Sequence, residues 1–244
     1  MKHYEPIMSF GEDVADVYDC DAGRGDEPAT VEFLERLARG GPALELAIGT
    51  GRIGLPLAAR GIRVDGIELS PAMVAKLRVK PGGDQIAVTM GDFADVPVPG
   101  KYRLIFLVAN TLSNLRTQDL QVRCFKNVAA RLTDDGVFVV EAMVPSFLHR
   151  LRNDQYVDAE AIGVDTVRLD VLKHDPVTQL LEESHISLSR DRVRLNPVVT
   201  RYAWPSEMDL MARLAGLQLK ERWGGWSGEP FASTSRTQVS VYRS

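Results

Sequence analysis

The chain turns on one stretch, Ala43-Leu-Glu45-Leu-Ala47-Ile-Gly49-Thr50-Gly51-Arg-Ile-Gly54, which continues through a helix-like run to Arg63-Val-Asp-Gly-Ile-Glu68-Leu69-Ser70. An apolar strand enters a glycine turn, a helix leaves it, and a second apolar strand ends in an acid. This is one βαβ unit shaped to hold an adenosine-bearing ligand. Gly49 and Gly51 let the backbone turn sharply and approach a ligand where a Cβ would collide. The helix opening near Arg52 points its free N–H groups at the same spot and favours a negative group there. Glu68 stands 19 positions after Gly49, where an acid can accept both hydroxyls of a ribose. A hydrogen bond to such a charged acceptor contributes about 1.5–3 kcal/mol.

Outward from this unit the alternation continues. Strands are expected at 43–48, 62–68, 85–90, 103–109 and 136–141, with helices between them. Ser70-Pro71 opens the second of these helices as N-cap and first-turn proline, and Thr117 caps a later one running to about Leu132. Continuous apolar runs mean strands covered on both faces, hence a parallel sheet with helices on each side. Residues 142–204 break the pattern. Thr166–Lys173, Gln179–Ser189 and Arg192–Trp204 have β character, with His174-Asp175-Pro176 and Arg190-Asp191 read as turns between them. A three-stranded antiparallel insertion is expected, with one apolar face needing cover from the substrate cavity or a partner subunit. Trp204-Pro-Ser206-Glu207 opens a last helix, and 217–223 and 237–242 read as two final strands. Before the core, Pro28–Ala38 reads as an amphipathic helix.

The chain has 244 residues, 45% of them hydrophobic, and a net charge of −4, enough for one α/β domain with a moderate insertion. The charge and the lack of a basic block argue against nucleic acid as a partner. No run approaches the roughly 20 apolar residues of a membrane span, and the N-terminus does not read as a signal peptide. Cys20 and Cys124 are too few and too far apart for a disulfide framework or zinc site, which fits a cytoplasmic protein. No metal motif is present.

Two cofactors compete for the glycine turn. Gly49-Thr-Gly51-Arg-Ile-Gly54 fits the dinucleotide pattern GxGxxG, which would imply a nicotinamide-dependent oxidoreductase. Glu45, four positions before Gly49, discriminates. A dinucleotide fold packs an apolar residue there beside an anionic pyrophosphate, whereas an acid suits a ligand carrying an ammonium and a sulfonium. Ala43–Gly51 resembles the first motif of the class I S-adenosylmethionine-dependent methyltransferases, acid-x-Gly-x-Gly-x-Gly, with Ala47 at the first glycine. The antiparallel ending of the chain resembles the same family. The insertion resembles that of the sugar-amine and other small-molecule branch.

The resemblance implies a Rossmann-like α/β fold: a seven-stranded, mostly parallel sheet with an antiparallel last strand, plus a small antiparallel β insertion between strand five and the last helix. It implies a single methyltransferase domain over 1–244. Its parts would be an N-terminal helical lid (1–41), a cofactor-binding half (42–145), the insertion (150–204) and a C-terminal helix and hairpin (205–244). Glu45, Ala47, Gly49, Thr50 and Gly51 would hold the methionine end of S-adenosylmethionine. Glu68 would hold the ribose, with Leu69 and Met73 beside the adenosine. Asp92 and Phe93 would hold the adenine. Asn110, after strand four, would face the methionine part and the acceptor. Tyr18 and Arg24 are the lid's candidates for closing over the cofactor. The acceptor would be an amine or hydroxyl of a small molecule, and the insertion offers a homodimer contact. A general base is not evident. His149, just beyond strand five, is the one candidate, and Glu141 is as well suited to receiving a loop N–H. The Gly224–Phe231 loop offers aromatics either as a mobile pocket wall or for packing down on the insertion. A non-catalytic S-adenosylmethionine-binding module is the remaining alternative.

Overall fold

The computed structural model describes residues 11–21 and 25–244. Two helices, α1 (Glu12–Asp21) and α2 (Glu27–Ala38), precede the alternating core. The core runs β1 (Ala43–Leu46), α3 (Gly54–Ala59), β2 (Val64–Glu68), α4 (Pro71–Arg78), β3 (Ala87–Met90), β4 (Tyr102–Leu107), α5 (Gln118–Ala129) and β5 (Leu132–Met143). An insertion of β6 (Gln155–Ile162), β7 (Thr166–Asp175), β8 (Leu180–Ser189) and β9 (Val193–Arg201) follows. The chain ends in α6 (Pro205–Leu214), β10 (Gln218–Trp223) and β11 (Thr237–Arg243).

The main sheet has seven strands in the order β10-β11-β5-β4-β1-β2-β3. The first five strands pair in parallel, and β11 lies antiparallel to both β5 and β10. Alternation along β1 divides the core. Leu44 and Leu46 face a layer shared with Phe125 of α5 and Met208 of α6. Ala43 belongs to the opposite layer with Phe33, Leu34 and Leu57 of α2 and α3. Glu45 shares that side and is thereby aimed at the start of α3. The helix starts follow the expected chemistry: Ser70 Oγ accepts from the Met73 amide at 3.3 Å, and Thr117 Oγ1 from the Leu120 amide at 3.2 Å.

The insertion departs from expectation in two ways. It is a four-stranded antiparallel sheet, β6-β7-β8-β9, rather than three-stranded. The added β6 is an edge strand rich in acids and alanine, with a bulge between Ala159 and Ala161 that breaks its alternation. His174 does not lie in a turn: β7 runs on through Asp175, and the His174 side chain is buried. Pairing with β8 across the full strand overrides the local turn signal. Arg201, at the end of β9, pins the insertion to the core. Its guanidinium donates to Gln121 of α5, Gln179 and Glu207 of α6, each at 2.7 Å.

The Gly224–Phe231 loop is also corrected. Trp226 is buried edge-on against Phe33 of α2, with ring centroids 5.5 Å apart, so this aromatic is core rather than a mobile wall.

Candidate functional site

The glycine turn sits at the carboxyl ends of the parallel strands. Ala47, Gly49 and Gly51 all have positive φ, at 54°, 58° and 81°. A Cβ on Gly49 would meet open space, while one on Gly51 would come within 2.8 Å of Leu55 Cγ. Gly49 therefore borders a space that a ligand can enter, and Gly51 serves close packing of turn on helix. Ala47 tolerates a conformation that a Cβ makes costly, by about 1–2 kcal/mol.

Glu68 closes the turn from the second strand. One carboxylate oxygen accepts from the Gly49 amide at 2.8 Å, and the other from the Leu69 and Ser70 amides at 2.9 and 2.8 Å. Burial raises its pKa, and the three amides oppose that rise. A carboxylate has about four acceptor positions, so a diol shares it with, or replaces, the Gly49 amide.

Glu45 lies beneath the turn. It is 2% exposed, and its Oε2 has no hydrogen-bond partner. A Cβ on Gly54 would stand 2.6 Å from that oxygen, so the missing side chain at Gly54 is what admits the carboxylate. Burial pushes the Glu45 pKa up to about 8, opposed by the Arg52 charge and the Gly54 amide and assisted by Glu68. A buried carboxyl beside a glycine turn, with one oxygen bare and the group held by the Gly54 amide, is suited to a cationic ligand group and disfavours a pyrophosphate.

Helix α1 covers the turn. Thr50 Oγ1 donates to Asp19 Oδ1 at 2.6 Å, and Lys80 Nζ donates to the Thr50 carbonyl and pairs with Asp19 Oδ2, both at 2.8 Å. Lys76 of α4 pairs with Asp16 at 2.6 Å. Burial works against ionisation of Asp19, but Lys80 and Thr50 outweigh it and hold its carboxyl below the usual range. Tyr18 is half-buried on this helix, while Arg24 lies outside the described residues. Asp19 and Lys80 are site-edge residues that the sequence alone did not disclose. They meet Thr50 across 31 and 30 positions, with no local pattern to link them.

The remaining candidates divide. Leu69 is exposed at the end of β2, open to a base or sugar, whereas Met73 is buried in the packing of α4. Asp92 is half-buried and accepts from the Ala94 amide at 2.8 Å. Phe93 packs into the core layer of Leu46 and Ile67. Beyond β4, Ala109 and Asn110 both have positive φ. The Ala109 amide donates to Glu141 Oε2 at 2.6 Å, and the Met143 amide to Asn110 Oδ1 at 2.9 Å. Both polar side chains thus brace the β4 and β5 ends. His149 is exposed on a short 3₁₀ turn, Pro145–Arg150.

A doubly wound sheet closed by an antiparallel strand, with one acid under the glycine turn and another at the second strand's end, defines a nucleoside-cofactor fold built for a cationic methyl donor. The comparisons agree. A methyltransferase domain model matches residues 43–136. The structure of the CcbJ methyltransferase from Streptomyces caelestis is 38% identical, superposes with a TM-score of 0.92 and is matched over 99% of each chain. The cypemycin N-terminal methyltransferase of a Streptomyces species is 24% identical over 204 residues, 83% of this chain and 82% of that protein. The dTDP-4-amino-2,3,4,6-tetradeoxy-D-glucose N,N-dimethyltransferase of Saccharopolyspora spinosa is 30% identical over 56% of this chain and 57% of that protein. The chain belongs to the class I S-adenosylmethionine-dependent methyltransferases. S-adenosylmethionine is its cofactor, and the residues present are compatible with it: Glu45 keeps one bare buried oxygen, Gly49 borders open space, and Glu68 ends the second strand.

Proposed function

We propose that this enzyme methylates an amine of a small molecule, with a hydroxyl acceptor as the second possibility. The observation that carries the cofactor half is the bare, buried Oε2 of Glu45 under the glycine turn. Glu45 and the turn from Ala47 to Gly51 take the methionine end, Glu68 the ribose, and Leu69 and Asp92 the adenosine. Bound S-adenosylmethionine supplies a methyl already activated by its sulfonium, with a neutral thioether as leaving group. The protein's share is alignment, which can supply about 7–11 kcal/mol. An amine needs little beyond that, whereas a hydroxyl draws on a general base worth roughly 10²–10⁴ in rate. Glu141 is engaged with the Ala109 amide, which disfavours it as that base. Support for an amine also comes from two of the relatives, whose names describe methylation of a peptide N-terminus and of an amino sugar.

The chain acts as one unit, with α1 as a lid over the cofactor and the insertion over the acceptor. Its place is the cytoplasm; no helix among the described residues is long and apolar enough to cross a membrane. One face of the insertion sheet carries Val157, Leu169, Val171, Ile186, Val193 and Leu195, of which Val157, Val193 and Leu195 are largely exposed. An apolar face of this kind is complementary to itself about a two-fold axis, so a second copy covers it. Leu195→Arg should convert the dimer to a monomer in light scattering; a wild-type monomer refutes this contact.

The acceptor class is tested by incubation with methyl-labelled cofactor and parallel panels of amines and phenols. Label on amines is expected. Label confined to phenols overturns the acceptor assignment, and calorimetry showing NADH but not S-adenosylmethionine binding overturns the whole.

A further inference from the structure

We propose that Asp154, His174 and Tyr202 form a proton exit leading to solvent from a small cleft at the ends of β4 and β5 that opens toward the acceptor, a role resting on the amine assignment above. The three side chains come from separate parts of the insertion: the turn before β6, strand β7, and the segment after β9. His174 Nε2 lies 3.1 Å from the Tyr202 hydroxyl, and its Nδ1 lies 3.2 Å from Asp154 Oδ1. The His174 amide also donates to the Asp154 carbonyl at 2.8 Å, holding that turn against β7. Asn153 and Asp154 both adopt positive φ there.

The arrangement has an inside and an outside. Tyr202 is buried and lines a small cleft with Asn110, Ser113 and Met143, residues that end β4 and β5 or directly follow them. Its ring sits edge-on to Trp204, at 6.3 Å and 87°. His174 is buried beside Tyr202 and lies across from Leu181 in the sheet. The Asp154 side chain is 59% exposed. A buried imidazole thus links the hydroxyl of a tyrosine that lines the cleft to a carboxylate in water. A histidine serving the core alone would need partners, but not one partner on the cleft and another in solvent. Other charges face the pair from neighbouring elements. Asp175 on β7 acts on His174, and Arg201 on β9 and Glu207 on α6 act on Tyr202. Tyr156 of β6 packs on the same cluster.

The chemistry needs such a route. An aliphatic amine arrives in neutral water as an ammonium and is no nucleophile until one N–H proton leaves. Tyr202 Oη accepts that proton as its own passes to His174 Nε2. The imidazolium gives its Nδ1 proton through Asp154 to water, and tautomerisation through solvent restores the resting ring with its proton on Nδ1. The freed lone pair forms the N–C bond while the C–S bond breaks, its electrons remaining on sulfur. One proton leaves per methyl transferred.

The test measures methylation of a panel of amino sugars and cyclic secondary amines between pH 5.5 and 9, in wild type, Tyr202→Phe, His174→Gln and Asp154→Asn. Calorimetric affinity for S-adenosylmethionine serves as the folding control. Wild-type kcat should rise with pH and level off. Tyr202→Phe and His174→Gln should lower kcat at pH 7 by about 10–100-fold, less than the full range of acid–base catalysis because alignment persists. Cofactor affinity should not change, and the deficit should shrink at high pH, where the amine arrives neutral. Asp154→Asn, altered at an exposed position, should lower kcat at pH 7 while leaving cofactor affinity unchanged. A Tyr202→Phe enzyme with the wild-type kcat profile overturns the proposal. So does ¹⁵N NMR of the wild type showing His174 protonated on Nε2 and bare on Nδ1 in the neutral state, a readout independent of whether the variants fold. A wild type that methylates only phenols, or nothing, overturns the amine assignment and this inference together. Normal amine methylation in wild type with unaffected variants overturns this inference alone.

Discussion

Binding of the cofactor to this enzyme should release a proton from Glu45. Burial pushes that carboxyl up to about 8, so in the ligand-free protein at neutral pH it is mostly uncharged. It must ionise to pair with the ligand's ammonium. Each pH unit below the pKa costs about 1.4 kcal/mol, a factor of ten in affinity. At pH 6, two units below, binding should be roughly 100-fold weaker than with the carboxylate already charged. The ligand's α-amino group itself titrates near 7.7–8.0, so affinity should peak close to pH 8 and fall on either side. The assay is calorimetry at pH 6.5 in two buffers of different ionisation enthalpy, which should report nearly one proton released per molecule bound. Glu45→Gln should bind more weakly at pH 8 and lose both the slope and the proton release. Affinity independent of pH between 6 and 7.5, or no proton released by wild type, refutes the pairing. The same group acts on stability with the opposite sense. Its folded pKa lies above its unfolded value of about 4.5, so the folded state holds the extra proton between those values. The ligand-free protein should therefore lose stability as pH rises from about 4.5 through about 8, and Glu45→Gln should flatten that decline in urea titrations.

Gly54→Ala should place a methyl 2.6 Å from Glu45 Oε2 and 3.0 Å from Ile48 Cδ1, costing roughly 1–3 kcal/mol of stability. The displaced carboxyl should weaken S-adenosylmethionine binding more than tenfold in calorimetry. Ala47→Gly removes a Cβ from a residue at φ 54° and should leave stability unchanged or raised by up to about 1 kcal/mol; Ala47→Val should cost about 1–3 kcal/mol in urea unfolding. Lys80→Met removes the bridge from α4's end to both Thr50 and Asp19. Cofactor release should quicken in stopped flow, and α1 should become more sensitive to limited proteolysis, while global stability moves by about 1 kcal/mol or less. Unchanged proteolysis would show that the bridge does not hold the lid.

Much of the frame was legible because its signals are local. The apolar run into Gly49-Thr-Gly51, the capping residues Ser70 and Thr117, and the acid at Glu68 each act within a few residues, where propensity and turn chemistry decide. The two final strands were readable as strands, while their antiparallel arrangement followed from the family resemblance. Strand β6 was not, because an edge strand is held by one neighbour and needs little apolar pattern of its own. His174 looked like part of a turn until β8 paired along all of β7.

Local pattern thus determined the βαβ unit and the order of the core elements, and Glu45 with the motif's resemblance pointed to the cofactor class. Contacts across long stretches of chain decided the rest. Asp19 reaches Thr50 over 31 positions, Asp154 reaches His174 over 20, and Tyr202 reaches His174 over 28. Trp226 closes on Phe33 from the opposite end of the chain. Periodicity records which face of an element is buried, not which distant side chain meets it there. That choice arises only when packing brings the elements together and each buried polar group has to find a partner.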